Sequence, residues 1–411
     1  MSTSAFDLTD PATVADPYPA FAWMRALGRP VWDDGLGMWL ALRHSDANAV
    51  LRDRQLGRIY SPREPLDVWD TFNWLHEDAL LENEPPKHTR LKSLVAKAFA
   101  RGNIESRRGR IQELCHTLLD TCEEKLRDTG EFDLVADYAE PLPVLVIADL
   151  LGVPESDVEP LRPWSQDIVR MYEYDRTPED EARARRSCDE FSAYISELAR
   201  ARRRTPSDDL VTHLAEVEAA GEKLTERELV ATCVLLLNAG HEATVNGFGN
   251  GIVELMARPE QWDIVVEQPW DITASAVEEM LRYDTPAQLF ERTATRDVEL
   301  NGVTIAAGQK IAALLGSANR DPEVFADADS FDVRRDPNPH LAFGAGIHFC
   351  LGAPLARLEM QQSLPMLAER FPTLHASAAP TSRGTFVLRG WSSVPAGILI
   401  LVARTRHGMT G

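Results

Sequence analysis

The sequence has few cysteines and no paired cysteine motif. Five cysteines are spread over 411 residues, namely Cys115, Cys122, Cys188, Cys233 and Cys350. That number is too small for the disulfide scaffold of a secreted protein. No Cys-x-x-Cys pair occurs, so zinc sites, thioredoxin-type redox motifs and covalently attached c-type haem have no support. We therefore expect free thiols and a cytoplasmic protein.

Long hydrophobic runs are also missing. The most apolar stretches, residues 143–153 and 398–402, are much shorter than the roughly 20 residues that a membrane helix needs. Residues 1–19 are polar and acidic, and they lack the basic start and apolar core of a secretory signal. The sequence predicts a protein without a membrane partner.

Positive charge is scarce as well. Lys and Arg number 43 against 64 Asp and Glu, which gives a formal net charge of −21. Such a chain repels the phosphate backbone, so nucleic acid is excluded as a general partner. The apolar fraction of 44% suffices for a large core. Because repeats, low-complexity tracts and obvious linkers are absent, we expect residues 1–411 to form a single domain, and the protein to be a monomer.

Helical periodicity dominates the middle of the chain. Apolar residues keep helical spacing from about residue 104 to 260. Thr225 followed by Glu228 is typical of a capping box, and it predicts a helix that ends near Met256. This helix is apolar on nearly every side in its middle, so we expect it to be buried.

Strand patterns occupy only the edges of this helical region. They lie at about residues 30–56, 286–315 and 385–403. Asn301-Gly302 between two short strand patterns is a strong hairpin signal. Residues 57–82 show no clear period, although they include three large aromatic residues. The sequence therefore predicts a mainly α fold with small β-sheets.

Cys350 differs from the other cysteines in its neighbours. It follows Gly344 and Gly346 and precedes Gly352, and an amphipathic helix pattern begins just after it. Glycine allows positive φ and the close approach of a flat ligand, and a helix N-terminus favours a thiolate. On composition alone, an inert buried cysteine is the commoner case. The alternative is a single thiolate ligand for a metal macrocycle.

The spacing Phe343-x-x-Gly346-x-His348-x-Cys350-x-Gly352 resembles the haem-binding loop of the cytochrome P450 family, the haem-thiolate monooxygenases. Further matches cover nearly the whole chain, at residues 16–19, 84–90, 239–244, 279–282 and 318–322. Their order fits the soluble bacterial members. The resemblance implies the cytochrome P450 fold, with haem b (iron protoporphyrin IX) between the long central helix and the loop beneath it. It also implies that Cys350 is the axial ligand of the iron.

The same resemblance nominates contacts to the haem. Its propionates need cations and hydrogen-bond donors, and the family pattern assigns them His88, Arg292 and His348. Four residues after His88 the family has arginine, but this chain has Lys92, which supplies charge without a planar fork. The other expected contacts are Phe343, Gly344, Gly346, Gly352, Ala239 and Gly240.

The middle of the long helix resembles the oxygen-binding groove of the family. Glu242 matches the acid of that groove, but the next position is Ala243 instead of threonine, and the hydroxyl moves to Thr244. One residue along a helix turns by about 100°, so Thr244 cannot simply replace the missing hydroxyl. From the residues alone, Glu242 and Thr244 would handle protons beside a ligand in this groove. With Ala243 at the threonine position, we expect the route to pass through Glu242, water and the substrate. Without the resemblance, tight helix packing at Ala239 and Gly240 would also explain the small residues.

Glu279 and Arg282 lie three residues apart, on one helix face. They resemble the Glu-x-x-Arg pair of the family, a buried structural ion pair that a further arginine completes. Arg335 is the best match for that third member. The resemblance implies that this cluster anchors the loop leading to Cys350.

The implied activity is O2-dependent oxidation of a small apolar organic substrate in secondary metabolism. No flavin or iron–sulfur module is evident in the sequence, so we expect two electrons from a separate ferredoxin and ferredoxin reductase. The expected pocket walls are Trp69, Phe72, Trp74, Leu236, Ala239, Ala243, Gln288, Leu289, Val387 and Leu388. A basic patch for the acidic ferredoxin is expected from Lys92, Lys97, Arg101, Arg107, Arg108 and Arg357.

Two other classes remain as alternatives. A peroxide-driven haem-thiolate peroxygenase would carry an arginine-proline pair where this chain has Ala243 and Thr244. A non-catalytic haem sensor would keep Cys350 but would need neither Glu242 nor a helix groove. Both alternatives fit the sequence less well than a monooxygenase.

Overall fold

α-Helices make up most of the part of the chain that the computed structural model describes, residues 6–8, 10–219 and 224–399. The helices are α1 Pro11–Ala15, α2 Tyr18–Arg25, α3 His44–Arg52, α4 Asp70–Glu77, α5 Lys87–Val95, α6 Arg101–Glu105, α7 Arg108–Thr129, α8 Pro141–Leu151, α9 Leu161–Arg170, α10 Pro178–Arg204, α11 Leu210–Ala219, α12 Glu226–Met256, α13 Pro259–Glu267, α14 Pro269–Tyr283, α15 Leu315–Ala318 and α16 Ala353–Arg370. The strands are β1 Val31–Asp33, β2 Met38–Ala41, β3 Leu56–Gly57, β4 Phe132–Asp133, β5 Leu289–Ala294, β6 Val298–Leu300, β7 Val303–Ile305, β8 Lys310–Leu314, β9 Leu374–Ala376, β10 Thr381–Ser382, β11 Trp391–Ser393 and β12 Pro395–Ile398. The prediction of a mainly α fold with small sheets is confirmed.

The 31-residue helix α12 runs through the core. Thr225 caps it, because the hydroxyl accepts from the Glu228 N–H at 3.2 Å and the Glu228 carboxylate accepts from the Thr225 N–H at 3.0 Å. The helix packs against α4, α8, α9, α10 and α14, so nearly all of its faces are buried. The predicted capping box and buried helix are confirmed. Within the described ranges no helix, α12 included, is long and apolar enough to cross a membrane.

The largest sheet has five strands in the order β1-β2-β8-β5-β3. The pair β6 and β7 forms the predicted hairpin, whose turn places Asn301 at φ 48° and Gly302 at φ 77°. Both residue types tolerate this left-handed region, which explains the strength of the signal. Strands β11 and β12 lie in the region predicted near residues 385–403, of which residues 400–403 fall outside the described residues.

The sequence interpretation of residues 57–82 as aperiodic is wrong, because α4 forms there. Trp69, Phe72, Leu75 and His76 are buried at helical spacing. The Phe72 ring stacks on His76 at 4.1 Å and meets Trp69 at 5.4 Å. A helix of only eight residues shows too few turns for its period to stand out against the flanking loop.

Candidate active site

Cys350 lies in a tight loop just before α16. Its N–H donates to the carbonyl of Phe343 at 3.0 Å, which closes the loop. Gly344 and Gly346 have φ values of 68° and 71°, a region that side chains disfavour. At Gly346 a Cβ would also collide with the carbonyl oxygen of Leu51. The loop therefore needs glycine at both positions for its backbone path.

The surroundings of the Cys350 sulfur act on its charge in opposite directions, and burial, which favours the neutral thiol, has the largest effect. The cysteine is exposed, although protein surrounds it on most sides. Burial raises the pKa of the Cys350 thiol, while the N–H groups of Gly352 and Ala353 and the charges of Arg357 and Lys92 act in the opposite direction. These N–H groups belong to the start of α16, where the helix dipole adds to their effect. The loop thus presents one accessible sulfur beside donors that stabilise its charged form.

The middle of α12 has a gap in its packing. Between residues 228 and 252, only Leu235, Ala239, Gly240 and Ala243 are not fully buried, and Ala239 is exposed. Residues 235, 239 and 243 share one helix face because they are four residues apart. Two residues on this face, Ala239 and Ala243, have small side chains that protein does not fully cover, which leaves room for a flat ligand.

Gly240 has a role in helix packing, and its expected contact with haem stays a prediction. A Cβ at this position would lie 3.0 Å from Cγ1 of Ile147 in α8. The missing side chain therefore lets α8 approach α12 closely, which was the packing alternative in the sequence. This explanation applies to Gly240 and not to Ala239.

Glu242 is buried and has partners on both carboxylate oxygens. Its Oε2 accepts from Arg383 Nη1 at 2.9 Å, and its Oε1 lies 3.1 Å from Nε2 of the buried His241. Burial alone would raise the pKa of Glu242, but contact with His241 and the charge of Arg383 outweigh it and lower the pKa. The side chain is therefore a carboxylate. Arg383 carries no signal in the sequence, because it lies 141 residues from Glu242 and in no recognisable motif.

Glu242 also lines a cavity of about 320 Å³ that is open on one side. The cavity wall consists of Glu140, Arg162, Gln166, Val169, Arg170, Glu173, Glu242, Arg383, Thr385, Leu388 and Ser392. Arg162 pairs with Glu140 at 2.7 Å, and Arg383 lies 3.5 Å from the same carboxylate. Solvent in this charged cavity can therefore approach Glu242.

Thr244 lies neither at the gap nor at the cavity wall. Its hydroxyl donates to the Gly240 carbonyl at 3.3 Å, and the side chain is buried. The expected role of Thr244 in handling protons has no structural support. Ala243, by contrast, is half-buried on the gap face.

Four basic side chains gather near the cysteine loop. The rings of His88 and His348 are 4.5 Å apart, and Nε2 of His348 lies 2.9 Å from Oε1 of Glu84. Lys92 donates to the carbonyl of Ile347 at 2.6 Å. Burial, together with the charges of His348 and Lys92, lowers the pKa of His88 to about 4. Lys92 thus contacts the loop itself.

Arg292 is the fourth of these residues, and it tests whether haem fits. It is 3% exposed, and its hydrogen bond goes to the carbonyl of Glu291 at 2.8 Å. No carboxylate of the described residues lies within ion-pair distance of it. Burial and the charge of Arg58 lower the pKa of Arg292 to about 10. A buried guanidinium without an anion is costly, so the site fits a carboxylate-bearing cofactor such as haem.

Glu279 forms the centre of a buried network. Arg282 donates to it at 2.6 and 2.8 Å, and Nε of Arg335 lies 3.2 and 3.1 Å from its two oxygens. Asn338 donates a further bond at 3.1 Å. Both side chains of the Glu279–Arg282 pair are fully buried. The network ties α14 to the segment that precedes the cysteine loop.

Five of the ten expected pocket walls are buried among other side chains. Trp69, Phe72, Leu236, Gln288 and Leu289 are buried by packing. The guanidinium groups of Arg63 and Arg185 stack on Trp69, and Gln288 donates to the carbonyl of Thr285. Trp74 and Val387 are partly exposed, and among the predicted residues Leu388 lines the charged cavity. Aromatic and apolar residue types also suit a core, so composition alone could not separate wall from core.

The sequence is also similar to proteins of one known family. A family model described as Cytochrome P450 matches residues 38–267 and 271–389. The chain is 38% identical to Nocardicin C N-oxygenase from Nocardia uniformis subsp. tsuyamanensis over 386 residues, 92% of this chain and 94% of that protein. It is 39% identical to Mycinamicin IV hydroxylase/epoxidase from Micromonospora griseorubida over 365 residues, 87% of this chain and 88% of that protein.

The fold agrees with solved structures as well. The crystal structure of P450BioI in complex with a hexadec-9Z-enoic acid ligated acyl carrier protein superposes with a TM-score of 0.89 at 34% sequence identity. The alignment covers 94% of this chain and 100% of that one. With the accessible thiol, the gap on α12 and these similarities together, the chain belongs to the cytochrome P450 family of haem-binding monooxygenases.

Proposed function

We propose that the protein is an O2-dependent haem-thiolate monooxygenase in which Cys350 is the axial ligand of haem b. The observation that carries the proposal is the accessible Cys350 sulfur, where the N–H groups of Gly352 and Ala353 oppose the rise in thiol pKa that burial causes. When bound, a thiolate-ligated haem supplies oxygen activation, because the sulfur favours O–O cleavage. We infer that two electrons arrive from a separate ferredoxin and its reductase.

The basic residues near the loop would hold the propionates. Arg292 is buried without a carboxylate, and His88 and His348 lie in contact with each other. Lys92 stands where the family has arginine, and its bond to Ile347 supports a role in fixing the loop as well as in supplying charge. Ala239 and Ala243 would leave space for the ring and for oxygen on the α12 side.

Glu242 would move protons. Arg383 holds Oε2, whereas Oε1 has no donor with hydrogen-bond geometry among the described residues. Glu242 also lines the charged cavity, and water there would supply the protons that its carboxylate takes up. Since Ala243 offers no hydroxyl, we propose that a hydroxyl of the substrate and an ordered water complete the route toward the gap.

The substrate would be a small organic molecule of secondary metabolism, largely apolar and with a hydroxyl group. The names of two relatives, an N-oxygenase of nocardicin C and a hydroxylase/epoxidase of mycinamicin IV, support oxidation of such a compound. A cytoplasmic, monomeric protein with a single domain and without nucleic-acid or membrane partners stays a prediction.

Oxygen consumption tests the proposed class against its alternatives. A monooxygenase consumes O2 and oxidises a bound substrate when a surrogate ferredoxin system supplies electrons. A peroxygenase would oxidise the substrate with peroxide and without electron transfer, and a sensor would do neither. Substrates to be tested are first selected by spectral titration, in which a fitting compound displaces the water on the iron. The proposal would be refuted if oxidation of the substrate required peroxide and did not depend on the ferredoxin system.

A further inference from the structure

Glu278, the neighbour of Glu279 in α14, forms a second ionic cluster. Arg357 of α16 donates two parallel bonds to its carboxylate, from Nε to Oε1 and from Nη2 to Oε2, both at 2.7 Å. Nε2 of His340 lies 2.9 Å from Oε2. Burial alone would raise the pKa of Glu278, but the bonds from Arg357 and His340 outweigh it and lower the pKa to about 2. Glu278 is therefore a carboxylate with two separate partners.

Both partners belong to the segment that carries Cys350. Nδ1 of His340 accepts from the N–H of Ala342 at 3.1 Å, so the proton sits on Nε2 and is donated to Glu278. The guanidinium of Arg357 lies 4.3 Å from the ring centre of Phe343. The carbonyl of Phe343 is the acceptor for the Cys350 N–H. The cluster thus holds the loop before and after the cysteine.

The cluster also carries charge close to the sulfur. The cation of Arg357 is near enough to favour the thiolate of Cys350, and Glu278 offsets that cation at hydrogen-bond distance. An unpaired Arg357 would attract electron density of the sulfur, whereas an unpaired Glu278 would repel it. The two residues have opposite effects on a negative charge at this position.

We propose that Glu278 is a positioning residue for the Cys350 thiolate, which together with His340 and Arg357 clamps the cysteine loop and balances the charge beside the sulfur. The inference rests on the proposed ligation of haem by Cys350. Because Arg357 pairs with Glu278, it adds little net positive charge to the basic patch that the sequence predicted.

The reduction potential of the haem in the intact holoenzyme tests the clamp. Glu278→Gln leaves the Arg357 cation uncompensated, which stabilises the more negative reduced centre, so the potential is expected to rise. Arg357→Gln leaves Glu278 uncompensated, so the potential is expected to fall. The double variant is expected to return close to the wild-type value. Arg370→Gln, which removes two ion pairs at the far end of α16, is the matched control and should leave the potential unchanged.

If Glu278 and Arg357 acted only in packing, both single variants would lose thermal stability, but their reduction potentials would not shift in opposite directions. Arg357→Lys keeps the positive charge, so it should keep the wild-type reduction potential while lowering thermal stability. This variant tests the effect of the charge on the potential if Arg357→Gln retains too little haem to be measured. Shifts in the same direction, or none, would overturn the clamp. The carbon monoxide spectrum of the wild type tests the ligand separately: a spectrum without thiolate character would refute Cys350 ligation and not only the clamp.

Discussion

Gly346 and Gly352 flank Cys350 but are glycines for different reasons. Gly346 has φ 71°, and a Cβ there would collide with the backbone of Leu51, whereas Gly352 has φ −80° and a Cβ would lie 3.9 Å from the Cys350 sulfur, an ordinary contact. We predict that Gly346→Ala lowers the free energy of unfolding by about 2 kcal/mol or more, and that Gly352→Ala changes it by less than about 1 kcal/mol. Urea unfolding followed by circular dichroism measures both. Equal losses would show that the collision at Gly346 does not matter.

Ala243 stands where the resemblance to the family implies a threonine. If the substrate supplies the missing hydroxyl, Ala243→Thr should change the ratio of product formed to electrons consumed only modestly. Its side chain would enter the gap beside Ala239, so substrate binding should weaken slightly. The measurement is product yield against NADPH consumption for a substrate that binds. A many-fold gain in turnover would contradict assistance by the substrate.

Residue roles were predictable only where a local motif carried them. The Cys350 loop and the Glu279–Arg282 pair have fixed spacings, and the structure places them in the expected geometry. Arg383 was missed because its partner Glu242 is far away in sequence. Thr244 could not be assigned from spacing alone, because its hydroxyl could have pointed to a ligand but instead bonds to its own helix.

At the scale of elements, Glu278 links α14 to α16 through charge, and its contribution should depend on pH. Its pKa in the folded protein is about 2, below the ordinary 4.5. The stabilisation is therefore complete above about pH 4.5 and is lost as the pH falls through 2. A shift of this size corresponds to at most about 3 kcal/mol, and solvent reaching the partly exposed pair reduces it.

The expected result is a stability difference between wild type and Glu278→Gln that is largest near pH 6 and shrinks below pH 4.5. Urea midpoints at several pH values measure it. Glu124→Gln, which changes an exposed acid on α7, serves as the control and should track the wild type. A difference that stays constant down to about pH 3 would contradict the ionic role of Glu278.

Elements with local signals were predicted well. The capping box that opens α12 and the Asn301-Gly302 hairpin need only neighbouring residues. Helix α4 was missed because eight residues give a weak period. The sheet order β1-β2-β8-β5-β3 joins segments about 270 residues apart, and such pairing leaves no periodic trace in either segment.

The whole molecule has a net charge of −21 and therefore repels an acidic partner. Binding of such a partner depends on a local cluster of positive charge. Of the six residues predicted to form a basic patch, Arg107 pairs with Asp149, Arg108 with Glu105 and Arg357 with Glu278, and Lys92 points to Ile347. Lys97 and Arg101 are exposed, and neither makes an ion pair with another described residue. Of the six predicted residues, Lys97 and Arg101 therefore remain as the candidates for the ferredoxin-binding patch.

We predict that Lys97→Glu combined with Arg101→Glu slows reduction of the haem by an acidic ferredoxin and weakens the salt dependence of the rate. Stopped-flow reduction at several ionic strengths measures both quantities. Arg186→Glu, at an exposed position on α10, introduces the same kind of charge elsewhere and should have a smaller effect. Unchanged reduction kinetics in the double variant would remove these residues from the docking surface.

The ligand of the haem iron is the claim on which the other chemistry depends. The carbon monoxide difference spectrum of reduced Cys350→Ser, recorded beside wild type and Cys122→Ala, tests it most directly. Wild type and Cys122→Ala should both show the spectrum of a thiolate-ligated haem, because Cys122 is buried on α7 and its Sγ donates to the carbonyl of Asp137. Cys350→Ser should lose that spectrum while still binding haem. A Cys350→Ser protein that retained the thiolate spectrum would contradict the account.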